Sequence, residues 1–144
     1  MPDEMLPNPS DAELKKILQK VRSVAVVGLS PDPERDSHKV AAYLKEQGFR
    51  IIPVNPTVPE ILGEKSYPDL DAIPGEVDVV DVFRRSEAVP EIAGQAVKKK
   101  ARVLWLQRGV RHDQAAAQAR EAGLTVVQDT CLKVNHKRLL GQAK

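Results

Sequence analysis

Side chains suited to holding an anion are concentrated just after the first apolar run of the chain. Gly28 ends that run, and Ser30, Ser37, His38 and Lys39 follow it. Hydroxyl and cationic groups of these types donate hydrogen bonds to phosphate oxygens. The segment lacks the spaced glycines of a dinucleotide fingerprint and the Gly-Lys-Ser/Thr ending of a P-loop. It is therefore either a phosphate site of another kind or an ordinary polar helix start.

The second apolar run, residues 49–56, ends without a carboxylate. Its last residues are Val54, Asn55 and Pro56, whereas Rossmann proteins that bind NAD place an Asp or Glu there to hold the ribose. A carboxylate at that position would repel a phosphorylated ribose. The missing carboxylate makes NAD a weaker candidate ligand, leaves room for coenzyme A, whose ribose carries a 3′-phosphate, and leaves NADP open.

Arginines follow the third and fourth apolar runs. Arg84 and Arg85 come after the third, and Arg108 and Arg111 come after the fourth, next to His112. Acidic residues are interspersed among them, so we do not expect a strongly positive surface. Each arginine is either a ligand contact or a solvated surface residue.

Two single residues need a separate explanation. Asp81 lies within an apolar run, where an unpaired carboxylate is costly to bury. We expect it to accept a hydrogen bond from a backbone N–H or an arginine. The alternatives, in order, are a role in ordering the phosphate loop and a role as a catalytic acid or base. Cys131 is the only cysteine. We expect it to be a small buried apolar residue, and a mixed disulfide with a ligand thiol is the alternative.

The elements that must position these residues alternate between strands and helices. Strands are predicted at 24–28, 49–56, 77–83, 102–107 and 124–128. Helices are predicted from Ser10 and at 37–48, 87–99, 113–123 and 132–140, with short helical turns near Glu60 and Asp69. Uninterrupted apolar strands joined by helices are typical of parallel sheets. The predicted fold class is α/β: a Rossmann-like, doubly wound, mainly parallel five-stranded sheet with helices on both faces.

Length and composition fit one domain. The 144 residues are 42% hydrophobic, and 22 basic residues against 20 acidic ones give a net charge of +2. We expect a flexible leader at 1–9 and a single domain at 10–144. The small net charge makes nucleic acid an unlikely partner. An acidic, proline-rich start, one cysteine and no long apolar stretch favour a soluble cytoplasmic protein with no membrane partner.

Several segments taken together resemble a known family. They are VAVVGLSPDPERDSHKVAAYL, IIPVNP, ILGEKSYPDL, VDVVDVFRRSEAVP and VLWLQRGV. In combination they resemble the stand-alone CoA-binding protein family, which is similar to the CoA-binding domain of the succinyl-CoA synthetase alpha subunit. The resemblance covers about residues 10–140 and implies coenzyme A as the cofactor. The phosphate loop of the synthetase is richer in glycine than residues 28–39.

The resemblance also implies which residues bind the cofactor. They lie at the ends of the first four strands: Gly28, Leu29, Ser30, Ser37, Lys39, Val54, Asn55, Pro56, Phe83, Arg84, Arg85, Gln107, Arg108 and Gly109. No catalytic or metal-binding residue is expected.

The synthetase works through a phosphorylated histidine in a second domain and through a nucleotide-binding partner subunit. The histidines of this chain, at positions 38, 112 and 136, do not match that role. We therefore expect a module that binds coenzyme A or an acyl-CoA without catalysis of its own. The alternatives are an NADP-binding oxidoreductase or redox sensor and a flavodoxin-like protein-interaction domain. The sequence does not identify a protein partner.

Overall fold

This computed structural model describes residues 7–141. Short apolar runs form the strands of its main sheet. The strands of that segment are β1 (Ser23–Val27), β2 (Arg50–Val54), β3 (Glu60–Ile61), β4 (Glu64–Lys65), β5 (Val79–Val82), β6 (Val103–Leu106) and β7 (Thr125–Val127). Five of them form a parallel sheet in the order β2-β1-β5-β6-β7. All residues of β1, β5 and β6 are buried, as expected of strands covered on both faces.

Helices cover both faces of the sheet. They are α1 (Asp11–Lys20), α2 (Asp36–Glu46), α3 (Val89–Lys98), α4 (Asp113–Glu121) and α5 (Leu132–Leu139). One apolar core lies under α3 and α4, and a second lies under α1, α2 and α5. Ser10 and Glu13 form the predicted capping box at the start of α1. The predicted fold class is confirmed. None of the helices in residues 7–141 is both long and apolar enough to cross a bilayer.

The connection between β2 and β5 differs in part from the prediction. The helical turn expected near Glu60 is wrong, because β3 and β4 form a small antiparallel hairpin there. The turn expected near Asp69 is confirmed as a 3-10 turn at Leu70–Ala72, and the Asp69 carboxylate accepts a hydrogen bond from the Ala72 N–H. Strands of two residues carry too little periodicity to be recognised in a sequence.

Both outer strands of the sheet have additional partners. Tyr67 forms a parallel bridge with Val54 beside β2, and its N–H donates to the Pro53 carbonyl. With this bridge as a rudimentary strand, the sheet has the classic Rossmann order 3-2-1-4-5-6. At the other side, the Asn8 amide accepts a hydrogen bond from the Gln128 N–H at 2.8 Å and donates one to the Gln128 carbonyl at 2.9 Å, just after β7.

The topology fixes where a ligand site should lie. The chain leaves β1 through α2 toward β2 and later returns to β5 on the other side of β1. The connections after β1 and β5 therefore diverge and leave a crevice at the carboxyl edge of the sheet. Ligands of open α/β sheets bind at such a point. The predicted leader at 1–9 and the predicted domain end at 144 fall partly outside the described residues.

Candidate functional site

A pocket of about 480 Å³, here the central pocket, opens at this crevice. It is lined by Gly28, Ser30, Glu34, Arg35, Asp36, Ser37 and Phe83. It therefore lies at the start of α2, where N–H groups without helical partners and the helix dipole favour an anion. Arg35, the N-cap residue, makes no side-chain capping bond within residues 7–141. The start of α2 is thus left without the polar side-chain cap that usually occupies this position.

Gly28 allows the strand ends to meet at the floor of the central pocket. Its φ is +90°, and a Cβ atom at this position would lie 2.6 Å from the Phe83 carbonyl oxygen and 2.9 Å from Cδ of Arg84. The Gly28 N–H donates to the Val54 carbonyl, and the Phe83 N–H donates to the Val27 carbonyl. The ends of β2, β1 and β5 are therefore held together, with the stem of Arg84 lying against Gly28.

The serine hydroxyls predicted to hold phosphate also fold the loop before α2. Ser37 Oγ accepts a hydrogen bond from the Ser30 N–H, and Ser30 Oγ accepts one from the Asp32 N–H, both at 3.0 Å. Each hydroxyl still carries a proton that it can donate. His38 Nδ1 lies 2.9 Å from the Ser30 carbonyl oxygen and must donate in that pair, because a carbonyl only accepts. The loop is thus pre-shaped by side chains that line or adjoin the pocket.

A smaller pocket of about 170 Å³, here the β2-side pocket, lies beyond Arg84. Its lining combines apolar and polar residues: Val27, Val54, Pro56, Pro68, Asp69, Leu70, Arg84, Ala88, Glu91, Ile92 and Gln95. A small pocket with apolar walls and a few hydrogen-bonding groups suits a flat heterocycle.

A third pocket of about 300 Å³, here the α5-side pocket, lies on the other side of Phe83. It is lined by Asp36, Lys39, Val40, Phe83, Gln107, Arg108, Cys131, Lys133 and Val134. The central pocket shares Asp36 and Phe83 with it. Gln107 Oε1 accepts a hydrogen bond from the Leu132 N–H, which ties the start of α5 to the end of β6. Cys131 is half-buried at the pocket wall, rather than buried as expected.

The three pockets bring together most of the predicted site residues. Those lining a pocket are Gly28, Ser30, Ser37, Lys39, Val54, Pro56, Phe83, Arg84, Gln107 and Arg108. Leu29, Asn55, Arg85 and Gly109 do not line these pockets. The Leu29 side chain is fully buried in the core, and its carbonyl accepts a hydrogen bond from Asn55 Nδ2 at 2.9 Å. The Gly109 N–H donates to Asp129 Oδ1 at 2.7 Å.

Sequence reasoning missed pocket residues outside the strand ends. Arg35 and Lys133 lie at the starts of two helices, and Gln95 lies in α3. One sequence signal could have identified Lys133. It follows shortly after the last predicted strand, and the loop after a parallel strand begins at the carboxyl edge of the sheet, where the other site residues lie. Residues 7–141 contain no cluster of three His, Cys, Asp or Glu side chains that could hold a metal ion.

Asp81 lies one layer below the pocket floor. It pairs in register with Val26 of β1 and Trp105 of β6, and Phe83 follows two residues later, just after β5 ends. The side chain of Asp81 is fully buried, and neither carboxyl oxygen has a hydrogen-bond partner in the described part of the chain. The expectation of a hydrogen-bonded Asp81 is therefore wrong. Burial raises the pKa of Asp81 well above its usual range and so favours the neutral acid.

Comparison with known proteins agrees with this arrangement. The family model described as CoA binding domain matches residues 22–137. The chain belongs to the CoA-binding domain family. This CoA-binding domain is 46% identical over 129 residues to the uncharacterized protein YneT of Bacillus subtilis strain 168, covering 90% of this chain and 96% of YneT. The resemblance identified from the sequence segments is confirmed.

Two further relatives show how the CoA-binding domain occurs elsewhere. An acetate–CoA ligase (ADP-forming) II of Archaeoglobus fulgidus is 36% identical over 80 residues, which cover 54% of this chain and 12% of the ligase. The solved structure of a hypothetical protein from Pyrococcus horikoshii OT3 has a TM-score of 0.89 and 40% identity, covering 98% of this chain and 97% of that chain. Related sequences thus occur both as chains of similar length and within a longer ligase.

Proposed function

We propose that this CoA-binding domain binds coenzyme A or an acyl-CoA as a stand-alone module without catalysis of its own. The observation that carries the proposal is the central pocket, where the start of α2 and the floor at Gly28 meet. Backbone N–H groups at a helix start bind phosphate without requiring a large positive charge on the protein. This agrees with the net charge of only +2.

In this proposal, each of the three pockets receives one part of coenzyme A. The pyrophosphate would occupy the central pocket, and the adenine would occupy the β2-side pocket, between the apolar walls at Val54 and Ile92. Arg84 lies between these two pockets and could donate to the 3′-phosphate or to the pyrophosphate. The pantetheine arm would then cross Phe83 into the α5-side pocket.

The hydrogen bonds of the three histidines support binding without catalysis. His38 is bonded to the Ser30 carbonyl, and His112 accepts a hydrogen bond from the Ala115 N–H as the N-cap of α4. His136 is buried in α5 and bonded to the Tyr43 hydroxyl. Each of these imidazoles stabilises local structure.

A half-buried thiol, as at Cys131, suits the reducing cytoplasm that we propose as the compartment.

Calorimetric titration with coenzyme A, dephospho-CoA and NADPH tests the binding. We expect coenzyme A to bind most tightly and Arg84→Met to weaken it about ten-fold, the effect of one charge-assisted hydrogen bond. Lys20→Met is the matched control. It removes one exposed positive charge at the end of α1, before β1 begins, and should leave the affinity unchanged. Tighter binding of NADPH than of coenzyme A, or no binding of coenzyme A at millimolar concentration, would refute the proposal.

A chromatographic assay tests the absence of catalysis. The protein is incubated with acetyl-CoA, with and without ADP and phosphate, and free coenzyme A is measured over several hours. We expect the rate of release to equal that of buffer alone. Release that rises in proportion to protein concentration would show that the module is an enzyme.

A further inference from the structure

We propose that the α5-side pocket selects acyl-CoA molecules whose acyl group ends in a carboxylate. The inference rests on the proposed function, because it assumes that the pantetheine arm enters this pocket. It concerns the chemical class of the acyl group, which the proposed function leaves open.

Three cations surround this pocket from three different elements. Lys39 belongs to α2, Arg108 follows β6, and Lys133 lies in the first turn of α5. Asp36 is the one carboxylate in the lining, and it lies on the side shared with the central pocket. The end of the pocket away from the central pocket is therefore positive. A carboxylate placed there would meet cations from more than one direction.

These cations are not neutralised by the protein. The ion pairs found within residues 7–141 involve other basic residues, namely Lys45, Lys98, Arg102, Arg111 and Arg138. Lys133 is half-buried, and its ammonium group lies 5.6 Å from the centroid of the Tyr43 ring. A cation–π contact of this kind restricts the position of the ammonium group without neutralising its charge. Lys133 is thus partly desolvated and keeps its positive charge.

The rest of the lining suits the chain that would carry such a carboxylate. Val40, Phe83 and Val134 supply apolar surface for methylene groups. The Gln107 side chain is buried with its Oε1 bonded to the Leu132 N–H, and its amide nitrogen is a donor for a thioester or amide carbonyl. The pocket therefore offers apolar contact along its walls and positive charge at Arg108 and Lys133.

The cofactor phosphates do not account for these charges. Their proposed site is at the start of α2 in the central pocket, which neither Arg108 nor Lys133 lines. Lys39, which lies closer along α2, can serve either site. The inference therefore depends on Arg108 and Lys133, and these two are the residues to change.

Competitive calorimetry with two acyl-CoA probes of equal carbon number tests the inference. The probes are glutaryl-CoA, which ends in a carboxylate, and pentanoyl-CoA, which ends in a methyl group. We expect glutaryl-CoA to bind about ten-fold more tightly, as for one charge-assisted contact. The ratio of the two affinities should fall as the salt concentration is raised, because part of the pocket is open to solvent.

Variants separate this inference from the proposed function. In the double variant Arg108→Met and Lys133→Met, the ratio of the two affinities should fall to about one. The affinity for unacylated coenzyme A, measured alongside, separates this effect from a general loss of binding. Lys20→Met should change neither quantity, and matched thermal melting curves would exclude unfolding. Equal affinities of the two probes for a wild-type protein that binds coenzyme A would overturn this inference alone. No binding of any CoA species would overturn the proposed function and this inference with it.

Discussion

Replacing Asp81 by asparagine should stabilise the protein, and by an amount that grows with pH. The carboxyl group is fully buried between Val26 and Trp105 and has no hydrogen-bond partner among the described residues. Burial raises its pKa, so the folded protein keeps the proton that the unfolded chain loses above about pH 3.9. Asparagine has nearly the same shape and cannot ionise.

The sign and size of the effect follow from proton linkage. A group that binds its proton more tightly in the folded state makes the free energy of unfolding decrease as pH rises. The decrease is about 1.4 kcal/mol for each pH unit over which folded Asp81 stays protonated. The advantage of Asp81→Asn should therefore grow as pH rises above about 4, for as long as folded Asp81 stays protonated. At pH 4 the two proteins should differ by less than about 1 kcal/mol, because both side chains are then neutral or nearly so.

Urea unfolding at several pH values measures this effect. Trp105, the only tryptophan, is fully buried beside Asp81, so its fluorescence reports the loss of the core. Circular dichroism provides a second probe that does not depend on the environment of Trp105. A stability difference that is constant between pH 4 and pH 7 would contradict the reasoning. A variant less stable than the wild type at pH 7 would also contradict it.

Contacts elsewhere in the fold determine the effects of three further substitutions. Gly28→Ala should lower the free energy of unfolding by about 2–4 kcal/mol, because a Cβ would meet the Phe83 carbonyl at a positive φ; an unchanged urea midpoint would contradict this. Asn8→Ala should lower the free energy of unfolding by about 1–2 kcal/mol, because two hydrogen bonds to Gln128 are lost. Light scattering should then show more self-association than for the wild type, because backbone groups beside β7 are exposed. Burial lowers the pKa of His136, so stability should be lost as pH falls below about 6.5. In His136→Leu the free energy of unfolding should decrease less between pH 7 and pH 5 than in the wild type. Equal decreases in the two proteins would refute this role of His136.

The fold was predictable because its strands are uninterrupted apolar runs. β1, β5 and β6 are buried on both faces, and this leaves a signal that needs no knowledge of tertiary contacts. The hairpin of β3 and β4 left no such signal, because each strand has two residues and depends on its neighbours.

The candidate site was predictable at the strand ends and less so elsewhere. Parallel strands deliver their carboxyl ends to one edge, so Gly28, Phe83 and Gln107 could be placed together from the sequence. Whether a side chain turns into a pocket or into the core depends on packing, and Leu29 turns into the core. The missing partner of Asp81 is likewise a property of three adjacent strands that no single segment encodes.

The partners beside the two outer strands of the sheet affect how the domain can contact other molecules. Tyr67 beside β2 and Asn8 beside β7 already bind backbone groups that an incoming strand would need. Exposed strand borders promote cross-pairing between molecules, and blocked ones suppress it. Both contacts therefore lower the tendency of the sheet to pair with another molecule at these two points. Protection of this kind matters for a fold whose relatives include a chain of similar length and one segment of a much longer ligase.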